Sequence, residues 1–191
     1  MTNKQAEYID IVTADGAPTG KVALKDEAHQ HGWYHNTIHL WLYTSTGEIL
    51  LQQRSHKKSI YPLLWDVSAA GHIDAGESIE AAAIRETNEE LGLQLQAEQL
   101  TKIGIHKHCK NYNDGAIKDY EFHHVFIAEL TQDILTLIPQ PEEVEAIKLV
   151  TIKSFLELLT KSETNSHFVA SNKDYYIFVL DAIQQKLGIK A

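Results

Sequence analysis

Residues 71–93 read GHIDAGESIEAAAIRETNEELGL, and the spacing of acids in this stretch decides how the rest of the chain is read. Ser78 is a good N-cap, alanines 81–83 fill the first turns, and Gly92 suits the left-handed position after a helix, so the stretch predicts a helix over 78–91. At about 100° per residue, Glu86, Glu89 and Glu90 share one arc of about 100°. Ile84, Thr87 and Leu91 fall roughly opposite and can face a core. Arg85 stands four residues before Glu89, within reach of its carboxylate. Three carboxylates in the last turns of a short helix repel one another and the helix dipole, at roughly 0.2–0.5 kcal/mol per exposed pair. A divalent cation reverses both effects, and Mg²⁺ favours such hard oxygen donors, completed by water and substrate phosphate. For a Glu-Glu pair alone, a solvated acidic face is the competing reading.

The flanking sequence alternates between strand and helix signals. Tyr8 to Val12 reads as a strand and Asp15 to Gly20 as the loop after it. Thr37 to Tyr43 alternates, with Ile38, Leu40 and Leu42 on one face and His39, Trp41 and Tyr43 on the other. Ser45-Thr46-Gly47 turns the chain into Glu48 to Arg54, which predicts a hairpin. Trp65 to Ala70, Phe122 to Leu130 and Ala146 to Val150 read as further strands. Ile152 to Leu159 and Lys173 to Leu187 read as helices, the second with Tyr176, Val179, Ile183 and Leu187 on one stripe. This mixture predicts an α+β fold, an α/β/α sandwich with helices packed on a mixed sheet. No repeat or linker divides it, so one domain over 1–191 is expected: a core at about 35–160, with the strand at 8–12 and the helix at 173–187 packed on it.

Composition narrows the function. Over 191 residues, 43% are hydrophobic and 23% charged, which suits a chain that buries a full core and excludes disordered or collagen-like classes. No apolar run approaches the roughly 20 residues needed to span a bilayer. The polar Met1 to Gln5 shows no secretory signal. The lone cysteine, Cys109, forms no internal disulfide, and a cytoplasmic location is expected. Lys and Arg total 17 against 26 Asp and Glu, a formal net charge of −9, which argues against a nucleic-acid partner. An acidic chain that binds an anionic small molecule needs a metal ion or a local basic cluster. Arg54, Lys57 and Lys58 supply such a cluster, against the plainer reading of a solvated loop.

The acids fit a known pattern. Gly71, Glu77, Arg85, Glu86, Glu89, Glu90, Gly92 and Leu93 match the Nudix box, G-x5-E-x7-R-E-U-x-E-E-x-G-U with U apolar; Thr87 at the first U position is the one departure. The chain is therefore identified as a member of the Nudix superfamily. That resemblance implies Mg²⁺- or Mn²⁺-dependent cleavage of a diphosphate, with Glu86, Glu89, Glu90 and the Ala70 carbonyl as metal ligands. Arg85 and Glu77 would orient the acids, and Glu86 or Glu121 would be the base.

Beyond the box, Ala14 to Gly20, Trp41-Leu42-Tyr43, Gly47 to Leu51, Arg54, Lys58, Pro62, Trp65, Ser68 to His72, Asp119-Tyr120-Glu121 and Val125-Phe126 resemble type I isopentenyl-diphosphate isomerase over roughly Tyr8 to Val150. This second resemblance places His29, His35, His72 and Glu121, with Asp119 nearby, at a candidate second metal site, and Arg54 and Lys58 at the substrate diphosphate. Zn²⁺ or Mn²⁺ would suit the imidazoles. The isomerase has a catalytic cysteine where this chain has Ala70, which carries no proton to exchange. The expected function is hydrolysis of a nucleoside diphosphate derivative or similar small diphosphate by water attack at phosphorus. An isomerase-like enzyme and a non-catalytic nucleotide-sensing module are the alternatives, and a homodimer is expected by resemblance. A further group, His106, His108, His123 and His124, lies near Glu121 in sequence and is a candidate for substrate contact. Trp33, Tyr34, Tyr61 and Trp65 could stack on a base or serve the core.

Overall fold

A computed structural model describes residues 6–161 and 173–189. The expectation for Met1 to Gln5 falls outside them. The sheet is built around β3 (His35–Tyr43), which pairs in parallel with β8 (Ile117–Glu129) from His35↔Glu121 to Tyr43↔Glu129. Its other edge meets β1 (Tyr8–Val12) at Ile11↔His35, then β6 (Ala69–His72) from Thr37↔His72 to Leu40↔Ala69, then β4 (Glu48–Arg54) at Tyr43↔Ile49. β1 carries β2 (Pro18–Leu24), β8 carries β7 (Thr101–Tyr112), and β4 carries both β5 (Trp65–Asp66) and β9 (Val144–Thr151). The result is a mixed sheet flanked by helices, as expected of an α+β sandwich.

Alternation in β3 assigns the two cores. Ile38, Leu40 and Leu42 face α2 (Ile79–Leu91), packing with Ala82, Ala83, Leu91 and Phe126. Trp41 and Tyr43 face α3 (Ile152–Leu159) and α4 (Lys173–Leu187), packing with Phe155, Tyr176, Val179 and Ile183. Burying apolar surface on both faces of the central strands is the main stabilising contribution, about 25 cal/mol per Å² removed from water. α1 (Lys25–His31) closes a smaller cluster of Ile9, Ile11, Ala23 and Ala28 at the end of the sheet.

Three expectations need correction. Pro18 opens β2 instead of lying in a loop, because β2 sits at the sheet edge, where a missing N–H costs no ladder bond. Trp65 to Ala70 is broken at Val67–Ser68, where the Ser68 hydroxyl accepts from Leu42 N–H (2.8 Å) and donates to the Leu50 carbonyl (2.6 Å), bridging β3 and β4 as they splay. The hairpin therefore pairs only near its turn. α1 and β7 carried no periodic signal strong enough to be read.

Candidate active site

The site is organised by β6, four residues long, whose alternate side chains reach opposite faces of the sheet. Gly71 faces α2. A methyl group there would stand 2.0 Å from the carboxyl carbon of Glu86, so only glycine lets the helix lie down with that carboxylate in the gap. One turn on, Glu90 is 5% exposed, and its Oε2 accepts from Ala70 N–H and from Gln52 Nε2, both at 3.1 Å. Ser78 caps α2 by accepting from Ala81 N–H, and Gly92 ends it in the left-handed conformation, which fixes where the acids fall.

Arg85 knits the stretch together. Its guanidinium donates to Glu77 (3.0 and 2.8 Å), to Glu86 (2.8 Å), to Glu89 (3.4 Å) and to the His72 carbonyl (2.9 Å). Burial pushes the Glu86 carboxyl up to about 7, with the charges of Glu89 and Glu7 adding and Arg85 opposing. Burial and the neighbouring Glu86 push Glu90 up to about 8, against the Ala70 N–H and Lys58. Two carboxyls held this close inside the protein resist ionisation without a cation between them. Gln52 Oε1 is buried beside them with no partner among the described residues. The donor set here, the buried Glu90 carboxylate, the half-buried Glu86 carboxylate and the Ala70 backbone, is hard oxygen and fits Mg²⁺ or Mn²⁺. Glu89 is the most open of the three acids, its side chain 53% exposed, and it shares Arg85 Nη1 with Glu86.

On the opposite face, His29 from α1, His35 from β3, His72 from β6 and Glu121 from β8 each offer one ligand atom, all within 4.8 Å of one another. His35 Nδ1 donates to the Trp33 carbonyl (2.9 Å), which aims its Nε2 at Glu121 Oε1, 3.3 Å away. His29 Nε2 and His72 Nε2 face each other at 3.2 Å. Facing lone pairs need a proton or a cation between them, and three imidazoles with a carboxylate suit Zn²⁺ or Mn²⁺. Burial favours the neutral carboxyl of Glu121, but the hydrogen bonds with His35 and His72 outweigh it and keep this acid well below the usual range. Burial and the Glu121 charge push Asp119 up to about 9. Its carboxylate oxygens lie 3.4 Å from His29 Nδ1 and 3.5 Å from His108 Nε2.

The remaining candidates are distributed unevenly. Every member of the basic cluster is held by an acid: Arg54 by Asp66 (3.2 Å), Lys57 by Glu142 (2.6 Å) and Lys58 by Glu143, with His56 on Glu145 (2.7 Å). His106, His108 and His123 share the face of Glu121, whereas His124 turns to the other side and bonds Asn36 Oδ1 (3.0 Å), so that histidine group is split. Trp33 carries Lys21 and His31, Trp65 carries Lys148, Tyr34 packs on Tyr120, and Tyr61 packs on Tyr112. Sequence reading missed Gln52, Thr37, Tyr175 and Glu143. Its place in the strand directly after the apolar run 49–51 was the one available signal for Gln52, and alternation from His35 the one for Thr37.

A mixed sheet with a carboxylate-rich helix laid against a glycine-containing strand is the arrangement that the family comparison identifies. The family model described as NUDIX domain matches residues 33–171, and the chain belongs to that family. It is 36% identical over 162 residues to Nudix hydrolase 3 of Arabidopsis thaliana, covering 82% of this chain and 21% of that protein, so it spans about a fifth of that relative. It is 32% identical over 142 residues to an isopentenyl-diphosphate Delta-isomerase of Nocardia farcinica, covering 74% of this chain and 78% of that one. Among solved structures, DR0079 from Deinococcus radiodurans superposes with a TM-score of 0.67 at 20% identity, covering 91% of this chain and 98% of that chain, a likeness of fold.

Proposed function

We propose that the protein is a divalent-cation-dependent hydrolase that cleaves the pyrophosphate bond of a nucleoside diphosphate derivative or similar small diphosphate by water attack at phosphorus. The observation that carries this reading is the pairing of half-buried Glu86 and buried Glu90 about Ala70 and Gly71, both carboxyls raised by desolvation. Family relatives named as Nudix hydrolases support it. Glu86, Glu90 and the Ala70 carbonyl would hold Mg²⁺ or Mn²⁺, with Glu89 at the rim and Arg85 and Glu77 orienting the acids. A cation bound there neutralises diphosphate charge and makes a nearby water more acidic. Glu86, beside the cation, and Glu121, ionised on the other face of β6, are the two candidate bases. Arg54 and Lys58 would grip the diphosphate in exchange for Asp66 and Glu143. His29, His35, His72 and Glu121 would hold a second cation.

Isomerase chemistry is the weaker reading, since the Ala70 methyl can neither give nor take a proton. A cytoplasmic location and a homodimer belong to the same proposal, the former in keeping with the exposed free thiol of Cys109. The test is phosphate or monophosphate release from a panel of small diphosphates with Mg²⁺ or Mn²⁺, run on the native chain, Glu86→Gln and Glu90→Gln. Loss of at least roughly a hundredfold in kcat/KM is expected for each variant. Full activity in both would overturn the assignment, and conversion of isopentenyl diphosphate to its allylic isomer would replace it.

A further inference from the structure

The face of the sheet that carries Glu121 continues past it as a row of imidazoles. His39 lies opposite Ala70, Thr37 opposite His123, and His123 opposite His106 in the strand ladders. The rings of His39 and His123 stack at 4.0 Å with planes 16° apart, and His106 continues the row 6.0 Å from His123 at 17°.

Their hydrogen bonds fix which nitrogen carries the proton. Trp41 Nε1 can only donate, and it donates to Tyr175 Oη (2.9 Å). Among the described residues the Tyr175 hydroxyl proton has no acceptor other than His39 Nδ1 (2.7 Å), which places the proton of His39 on Nε2 as a donor. Glu121 can only accept, from the Thr37 hydroxyl at 3.5 Å. His123 Nδ1, 2.8 Å from Thr37 Oγ1 and 3.3 Å from Glu121 Oε2, therefore carries the proton, leaving Nε2 as the acceptor. The His106 side chain makes no hydrogen bond among the described residues; its half-buried ring lies 4.8 Å from that of Tyr175.

We propose that this row, a fixed donor on His39, a fixed acceptor on His123 and the unpaired ring of His106, is a subsite for the hydroxyl-bearing sugar attached to the substrate diphosphate. It rests on the hydrolase reading above and deepens it by naming the group next to the scissile anhydride. A sugar hydroxyl both donates and accepts, so neighbouring hydroxyls satisfy a donor and an acceptor set side by side. An alkyl chain would strip water from the same nitrogens and return nothing. Ala70, opposite His39, keeps the floor of the row low.

The test uses the full chain with Mg²⁺ and follows imidazole proton signals by NMR, assigned through His39→Phe, His106→Phe and His123→Phe. The probes are ribose 5-phosphate and n-pentyl phosphate, with glucose 1-phosphate separating a hexose from a pentose. Expected is movement of the three ring signals with ribose 5-phosphate or glucose 1-phosphate, binding about tenfold or more tighter than the pentyl ester, and loss of that preference in His106→Phe. Equal affinity for sugar and pentyl esters, sugar binding that leaves the three rings unmoved, or no binding of any of the esters would each overturn the proposal. These readouts need no turnover: a chain that hydrolyses no diphosphate refutes the hydrolase reading, while the sugar preference still stands or falls by itself.

Discussion

The two donor sets that meet at β6 are built in opposite ways. The oxygen set comes from one helix turn and the strand beneath it, with Glu86 and Glu90 four residues apart and Ala70 and Gly71 adjacent. The nitrogen set comes from four separate elements, and no two of its members lie closer than six residues in sequence. A locally built site survives small rearrangements of the fold, because its spacing is fixed by helix geometry. A site assembled from distant elements depends on every strand register holding at once.

Gly71→Ala should produce the largest separation between the two. The added methyl has to displace the Glu86 carboxyl, so hydrolysis should fall by on the order of a hundredfold while the histidine set keeps its affinity for Zn²⁺, read by calorimetry. Equal damage to both would show that they work as one centre. His35→Ala comes next: Zn²⁺ uptake at the nitrogen set should be lost, with Mg²⁺-dependent turnover reduced less than in Gly71→Ala. A hundredfold loss of turnover would instead tie the imidazoles to the chemistry. Gln52→Leu removes the amide donor to Glu90, and the Mg²⁺ concentration for half-maximal rate should rise about tenfold with kcat changed less. An unchanged Mg²⁺ requirement would strip Gln52 of any positioning role.

The smallest effect is on stability. Glu90 binds its proton more tightly in the folded chain, up to about 8 against 4.5 unfolded, so without metal the folded state holds more protons between those values. Its contribution is therefore fully present below pH 4.5 and lost as pH rises through about 8. In EDTA, the Tm of the native chain should fall relative to Glu90→Gln across that window, by several degrees or roughly 2–4 °C per kcal/mol. Added Mg²⁺ should close the gap. A gap independent of pH would mean that Glu90 titrates normally.

The same contrast explains what sequence alone could reveal. The α2 acids were legible because a cap, a 3.6-residue period and a terminal glycine are all local, and Ser78 and Gly92 do what their residue types suggest. Ile152–Leu159 and Lys173–Leu187 emerged for the same reason. α1 did not: it is seven residues long, its N-cap Leu24 makes no side-chain bond, and it buries only Ala28. With it went any independent reason to bring His29 to His72, which only the isomerase resemblance supplied. β7 was hidden by its chemistry, since Lys107, His108 and Lys110 look like a solvated loop until β8 supplies a ladder for them. The basic cluster was found, but its acidic partners Glu142, Glu143 and Glu145 are more than 80 residues away, and no periodicity links the two.

β6 has one further consequence. Ala70, Gly71 and His72 are consecutive, and each has a different task on a different side. Inserting or deleting a single residue there would rotate the methyl, the gap and the imidazole together onto the wrong faces. Neither donor set can then be retuned by changing the length of this strand, so divergence in chemistry has to come from swapping side chains in place, as the alanine at position 70 already illustrates.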